Sequence, residues 1–249
     1  MSAGLVVHVP HASIIIPEEY LEGFLISEER LKQEISWSTD AYTDELYDVG
    51  YGIYVKAKYS RLVCDVERFR DDELEINAKK GNGLHYTHTL RGLPLREPNP
   101  RTREQVLTQI YDPHHADLTH TVGQVLNKHD FCLIIDGHSF PDDPYVGLDL
   151  PDFCIGTDSY HTPEPIAAEA YNILSSLGYT VEYNRPYAGA IVPMSYYGKE
   201  KRVLSLMMEV NRRLYLNAGT MDKSSGFMKI KDICGQVVNK LFSKAQLMP

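Results

Sequence analysis

Cysteine is scarce in this chain and badly placed for cross-linking. Cys64, Cys132, Cys154 and Cys234 have no paired spacing, which excludes a zinc knuckle and a disulfide framework. Cys64 and Cys132 lie in apolar segments where a thiol packs as a small hydrophobe, so the set reads as reduced thiols of a cytoplasmic protein. Basic residues are outnumbered, 25 Lys and Arg against 34 Asp and Glu, and form no stripe, so a nucleic-acid partner is not expected. No apolar run approaches the roughly 20 residues of a membrane helix. The start, Gly4-Leu5-Val6-Val7, lacks the basic and apolar regions of a secretory signal. Internal repeats and low-complexity tracts are missing too, and nothing speaks to oligomeric state. What is present is a 249-residue chain, 43% hydrophobic, long enough to bury a substantial core and read here as one domain over residues 1–249.

Short β-branched or leucine-rich runs alternate with helical stretches. Strands are expected at 5–9, 53–57, 62–66, 131–135, 179–184 and 203–210. Helices are expected at 28–35, from a cap at Ser38 or Thr39 onward, at 103–111, 116–128 and 164–177, and near 231–242. This alternation implies an α/β three-layer sandwich, a mostly parallel or mixed sheet covered on both faces. Residues 67–103, rich in charge, Gly and Pro, read as an irregular surface excursion of the kind that often serves as a binding or lid element.

His11, in Val9-Pro10-His11-Ala12-Ser13, and His138, in Asp136-Gly137-His138-Ser139, each follow a buried-strand run that breaks into turn-forming residues. That is how a parallel strand delivers a side chain to the carboxyl edge of a sheet, where open α/β folds place their ligands. A lone histidine there is ordinarily a hydrogen-bonded loop residue; two in the same position point to a metal. Neutral imidazoles bind Zn²⁺, a carboxylate completes the protein ligands, and an open position holds water. Asp40, at the expected helix entrance, is preferred to Asp44 and Glu45 as that carboxylate. One zinc is expected, another divalent metal being the alternative. His8 is taken as structural or as a support for the ligands, since alternation points it to a sheet face. Glu209, inside Leu206-Met207-Met208-Glu209-Val210, is either in an ion pair with Arg212 or Arg213 or a general base, because a buried carboxylate is costly without a partner or a task. Arg61 and Arg68 are either ion-pair partners of Asp65 and Glu67 or holders of a small carboxylate-bearing substrate. His115, at a helix start, also comes within reach. Ser13 and Ser139 lack a Gly-x-Ser-x-Gly elbow, so a metal hydrolase is preferred to a serine one.

Taken together, Val9-Pro10-His11-Ala12-Ser13, Asp40 with the following Ala-Tyr-Thr-Asp-Glu-Leu-Tyr, Ser60-Arg61-Leu62-Val63-Cys64-Asp65-Val66-Glu67-Arg68, Asp112-Pro113-His114-His115, Asp136-Gly137-His138-Ser139, Asn184-Arg185-Pro186-Tyr187-Ala188-Gly189 and Met208-Glu209-Val210 resemble the N-formylglutamate amidohydrolase family. The resemblance spans most of the chain. It implies kinship with zinc carboxypeptidases and amidases, a central mixed sheet, and hydrolysis of N-formyl-L-glutamate to formate and glutamate in histidine breakdown. It also implies His11, Asp40 and His138 as metal ligands, Glu209 as the catalytic carboxylate, and Arg61, Arg68 and Asn184 near the substrate. The chain departs from the family pattern with Pro-His-Ala-Ser for Pro-His-Ser-Gly, and with Asp-Val-Glu-Arg for Asp-Leu-Asn-Arg, which sets Glu67 beside the expected substrate pocket. The alternatives are a zinc amidase or carboxypeptidase acting on a peptide or cell-wall fragment, against which the missing export signal counts, and a non-catalytic ligand-binding relative.

Overall fold

The computed structural model describes residues 4–142 and 149–248. The chain divides into two compact units. The first comprises Met1–Val9, Tyr42–Val55 and Leu118–Pro249, and the second Pro10–Ala41 and Lys56–Asp117.

The first unit is built on a six-stranded sheet of β1 (Leu5–Val9), β2 (Ile53–Lys56), β3 (Cys132–Phe140), β4 (Phe153–Gly156), β5 (Val181–Tyr183) and β6 (Val203–Asn211), in the order β2-β1-β3-β6-β4-β5. β1, β3 and β6 pair in parallel, β4 runs antiparallel to β6, and β5 is parallel to β4. The sheet is therefore mixed and mostly parallel, as expected. Every residue of β3 and β6 is buried, which explains why their sequences are apolar runs with little alternation. One face packs Val6, Ile134 and Val203 against Leu118, Val122 and Val125 of the helix Asp112–Leu126. On the other face a short helix, Thr43–Leu46, brings Tyr47 against β3, where its hydroxyl donates to Met208 O (2.6 Å) and His138 O (3.0 Å). Gly137 is required beneath it, since a Cβ there would lie 2.4 Å from the Tyr47 ring. The last helix, Phe227–Gln246, buries Ile230, Ile233, Cys234, Val237, Val238 and Leu241, a stripe at helical spacing. All four cysteines are free and buried, and no described helix is long and apolar enough to cross a membrane.

The second unit holds the helices Glu18–Leu21, Glu28–Ser38 and Pro100–Val106, a 3-10 turn at Ile76–Lys80, and much irregular chain. Two apolar clusters hold it together, one around Val63, Cys64, Val66, Leu84 and Tyr111, the other around Leu31, Leu62, Tyr86 and Leu95.

Several expectations need correcting. Thr39 ends a helix rather than starting one: Ser27 caps Glu28–Ser38 by accepting from Arg30 N–H, and Asp40 lies in the link that follows. Residues 62–66 are not a strand. Arg61 pairs with Asp65 four residues on, and a strand would set those positions ~13 Å apart. Residues 67–103 are irregular, yet not merely a surface excursion, because Leu84, Tyr86 and Leu95 are fully buried. The two helices expected across 103–128 form one run from Pro100 to Leu126, interrupted by a π-turn at Leu107–Tyr111. That wide turn accommodates Pro113, which has no N–H to give the preceding turn. Finally, β3 continues through Phe140 because β6 pairs with all nine of its residues, so His138 lies within a strand and not at its exit.

Candidate active site

In the second unit the site is organised by Asp65, a fully buried carboxylate. Its Oδ1 accepts from His11 Nε2 (2.9 Å) and the Glu67 N–H (3.1 Å); its Oδ2 accepts from Arg61 Nε (3.0 Å), Arg61 Nη2 (2.7 Å) and the Tyr86 hydroxyl (2.7 Å). Arg68 Nε stands 3.6 Å from the same oxygen. Burial pulls Asp65 toward the neutral form, but Arg61 and Arg68, followed by His11, hold it well below the usual carboxylate range. Asp65 thus fixes His11 through Nε2 and leaves Nδ1 to face two other carboxylates, Asp40 Oδ2 at 3.6 Å and Glu67 Oε2 at 3.9 Å. Asp40 is brought there by its N–H, which donates to His11 O (2.9 Å) and closes a 29-residue gap in sequence.

The first unit carries a parallel arrangement. In the sheet register His8 is opposite Asp136, His138 opposite Glu209, and Glu209 opposite Cys154, so these side chains share one face near the carboxyl ends of β1, β3 and β6. Asp136 Oδ1 meets His8 Nδ1 (2.8 Å) and His138 Nε2 (3.2 Å), and Oδ2 accepts from the Ile191 N–H (3.2 Å). Burial again opposes ionisation, and His138 and His8 beside it hold Asp136 well below the ordinary range. Glu209 is buried within β6.

The arrangement bears on each expected residue. His11 and Asp40 come together, and Glu67 joins them. Arg61 and Arg68 do pair with Asp65, but as buried or half-buried partners of a core carboxylate rather than as surface ions. His115 is half-buried, its Nε2 2.8 Å from Val66 O. Asn184 is exposed at φ 54 and holds Thr157 through both amide groups, accepting from its N–H and donating to its hydroxyl at 2.9 Å each. His8 is buried, its Nδ1 2.8 Å from Asp136 Oδ1. Sequence reasoning missed Asp136 and the anchoring role of Asp65, although the signal existed: each is a carboxylate in an apolar segment, and Asp136 stands two residues before His138, on the same strand face. Tyr86 has no local signal.

The donor chemistry suits a divalent ion. Two ligands each ~2.0–2.2 Å from one metal stand about 3.4 Å apart at the tetrahedral angle and no more than about 4.3 Å apart at any angle. The separations of Asp40 and Glu67 from His11 Nδ1 fall in that window and exceed hydrogen-bond length. A metal-binding histidine whose other nitrogen is held by a carboxylate is a recurrent arrangement, and Asp65 and Asp136 each supply such a carboxylate. Buried His, Asp and Glu side chains of this protein can accordingly hold a metal ion.

A sequence model of the N-formylglutamate amidohydrolase family matches residues 3–216. The chain belongs to that family. Among solved structures it is similar to the N-formylglutamate amidohydrolase from Ralstonia eutropha JMP134, with a TM-score of 0.85 and 22% identity over 98% of this chain and 95% of that one. It is also similar to a gene product from Agrobacterium tumefaciens, with a TM-score of 0.72 and 18% identity over 98% and 90% of the two chains. At such identities the likeness establishes a shared fold, the mixed α/β sheet that this member of the N-formylglutamate amidohydrolase family displays. No curated protein matches the chain.

Proposed function

We propose that this chain is a metal-dependent hydrolase cleaving the amide of N-formyl-L-glutamate or a similar small N-acyl amino acid, in the cytoplasm and in histidine breakdown. The observation that carries this reading is His11, anchored at Nε2 by a buried carboxylate and facing two others at Nδ1, in a chain of the N-formylglutamate amidohydrolase family. His11, Asp40 and His138 hold the metal, with zinc the first choice. Such an ion supplies Lewis acidity and brings the pKa of water down to about 7. Glu209 takes the proton from the attacking water and returns it to the leaving nitrogen. Arg61, Arg68, His115 and Asn184 lie on the substrate side. Arg61 is already committed to Asp65, so its guanidinium contributes positive charge to the substrate carboxylates more than a freely moving clamp does. Residues 1–249 make up one such domain, which predicts a single unfolding transition.

The test is elemental analysis of the purified protein together with turnover of N-formylglutamate before chelation, after it, and after zinc is restored. Activity is expected to vanish and return; equal turnover by metal-free protein overturns the mechanism. Glu209→Gln is expected to keep the metal and lose turnover by at least about 100-fold.

A further inference from the structure

Glu67 was expected only as an extra negative charge beside a substrate pocket, yet its surroundings give it a more definite place. Its backbone is pinned on three sides. Its own N–H donates to Asp65 Oδ1 (3.1 Å), the carbonyl before it meets His115 Nε2 (2.8 Å), and the carbonyl after it accepts from the Tyr111 hydroxyl (2.8 Å). Tyr111 and His115 stand one turn apart, their rings 4.3 Å between centroids, at the end of the π-turn. From this fixed stretch of backbone its Oε2 reaches to 3.9 Å from His11 Nδ1, a separation that suits two ligands of one ion. Among the described residues, both groups of His, Asp and Glu side chains able to hold a metal include Glu67 and neither includes Asp40.

Resting on the function proposed above, we infer that Glu67 is itself a metal ligand of this chain, supplying a carboxylate beside His11. The donor set is then richer in oxygen, and the site tolerates harder divalent ions such as Mn²⁺ better than an imidazole-dominated site does. Tyr111 and His115 are positioning residues that act through Glu67.

The experiment is a titration of the demetallated full-length protein with Zn²⁺ against a chromophoric chelator, repeated with Glu67→Gln and Glu67→Asn, whose folding is checked by circular dichroism. Each folded variant is expected to lose at least about 100-fold in zinc affinity, more than the ~10–100-fold given up when a residue only orients a ligand. A smaller loss, or tighter binding as expected if Glu67 merely neutralises a protonated His11, overturns the assignment. Wild-type protein that takes up no zinc removes the metal site altogether. Tight binding by wild type and variants alike removes only Glu67 from it.

Discussion

Asp65 and Asp136 perform one task in two regions with different partners. Each is a buried carboxylate that fixes histidine in place. Asp65 is surrounded by two guanidiniums and a phenol besides its imidazole, whereas Asp136 is held by two imidazoles and one backbone N–H. Guanidiniums keep their charge at any working pH, while imidazoles gain or lose theirs near neutrality. The first anchor is therefore a permanent ionic core, and the second is one held by hydrogen bonds from imidazoles and the backbone.

The sharpest way to break this contrast is Asp65→Asn. It leaves Arg61 and Arg68 without their central counter-ion, and a loss of about 3–5 kcal/mol in urea unfolding is expected, with weakened metal binding. Next in size is a pH effect at His85, an imidazole that has an arginine rather than a carboxylate for a neighbour. Burial first, then Arg96, lowers its pKa to about 4 from an unfolded value near 6.5. The unfolded chain binds the extra proton in that interval, so stability is full above about 6.5 and falls as pH drops toward 4, by on the order of 3 kcal/mol. His85→Gln should flatten that part of the stability profile; an unchanged slope would assign it to other groups. Asp136→Asn is expected to cost less than the Asp65 change, about 1–3 kcal/mol, because the partners it loses are hydrogen-bonding imidazoles and a backbone N–H and not guanidiniums that keep their charge at any working pH. Should it prove the costlier of the two, the distinction between ionic and hydrogen-bonded anchors fails. The smallest effect belongs to Tyr111→Phe, which removes a single hydrogen bond to Arg68 O and should lower stability by about 1 kcal/mol. Its influence on zinc affinity should be weaker than that of Glu67→Gln.

Much of the sheet was legible because burial on both faces leaves an unmistakable apolar run, as in Leu5–Val9 and at 131–135. Phe153–Gly156 was missed, being only four residues bounded by turns. Residues 62–66 were misread as a strand, since their apolar character comes from packing in a turn around Asp65 and not from pairing. His138 was found, but its position inside β3 depends on the length of β6, which is remote in sequence.

From local composition alone came the α/β class, the two histidines, and the charge of Glu209 in an apolar segment, because periodicity and the cost of burying a charge are properties of neighbouring residues. Only tertiary structure decided which carboxylates face His11, and that the backbone around Glu67 is pinned by Tyr111 and His115. Those contacts join residues 29 to 56 positions apart, by a backbone hydrogen bond, a buried ion pair and a π-turn, and no pattern within a short window encodes such distances.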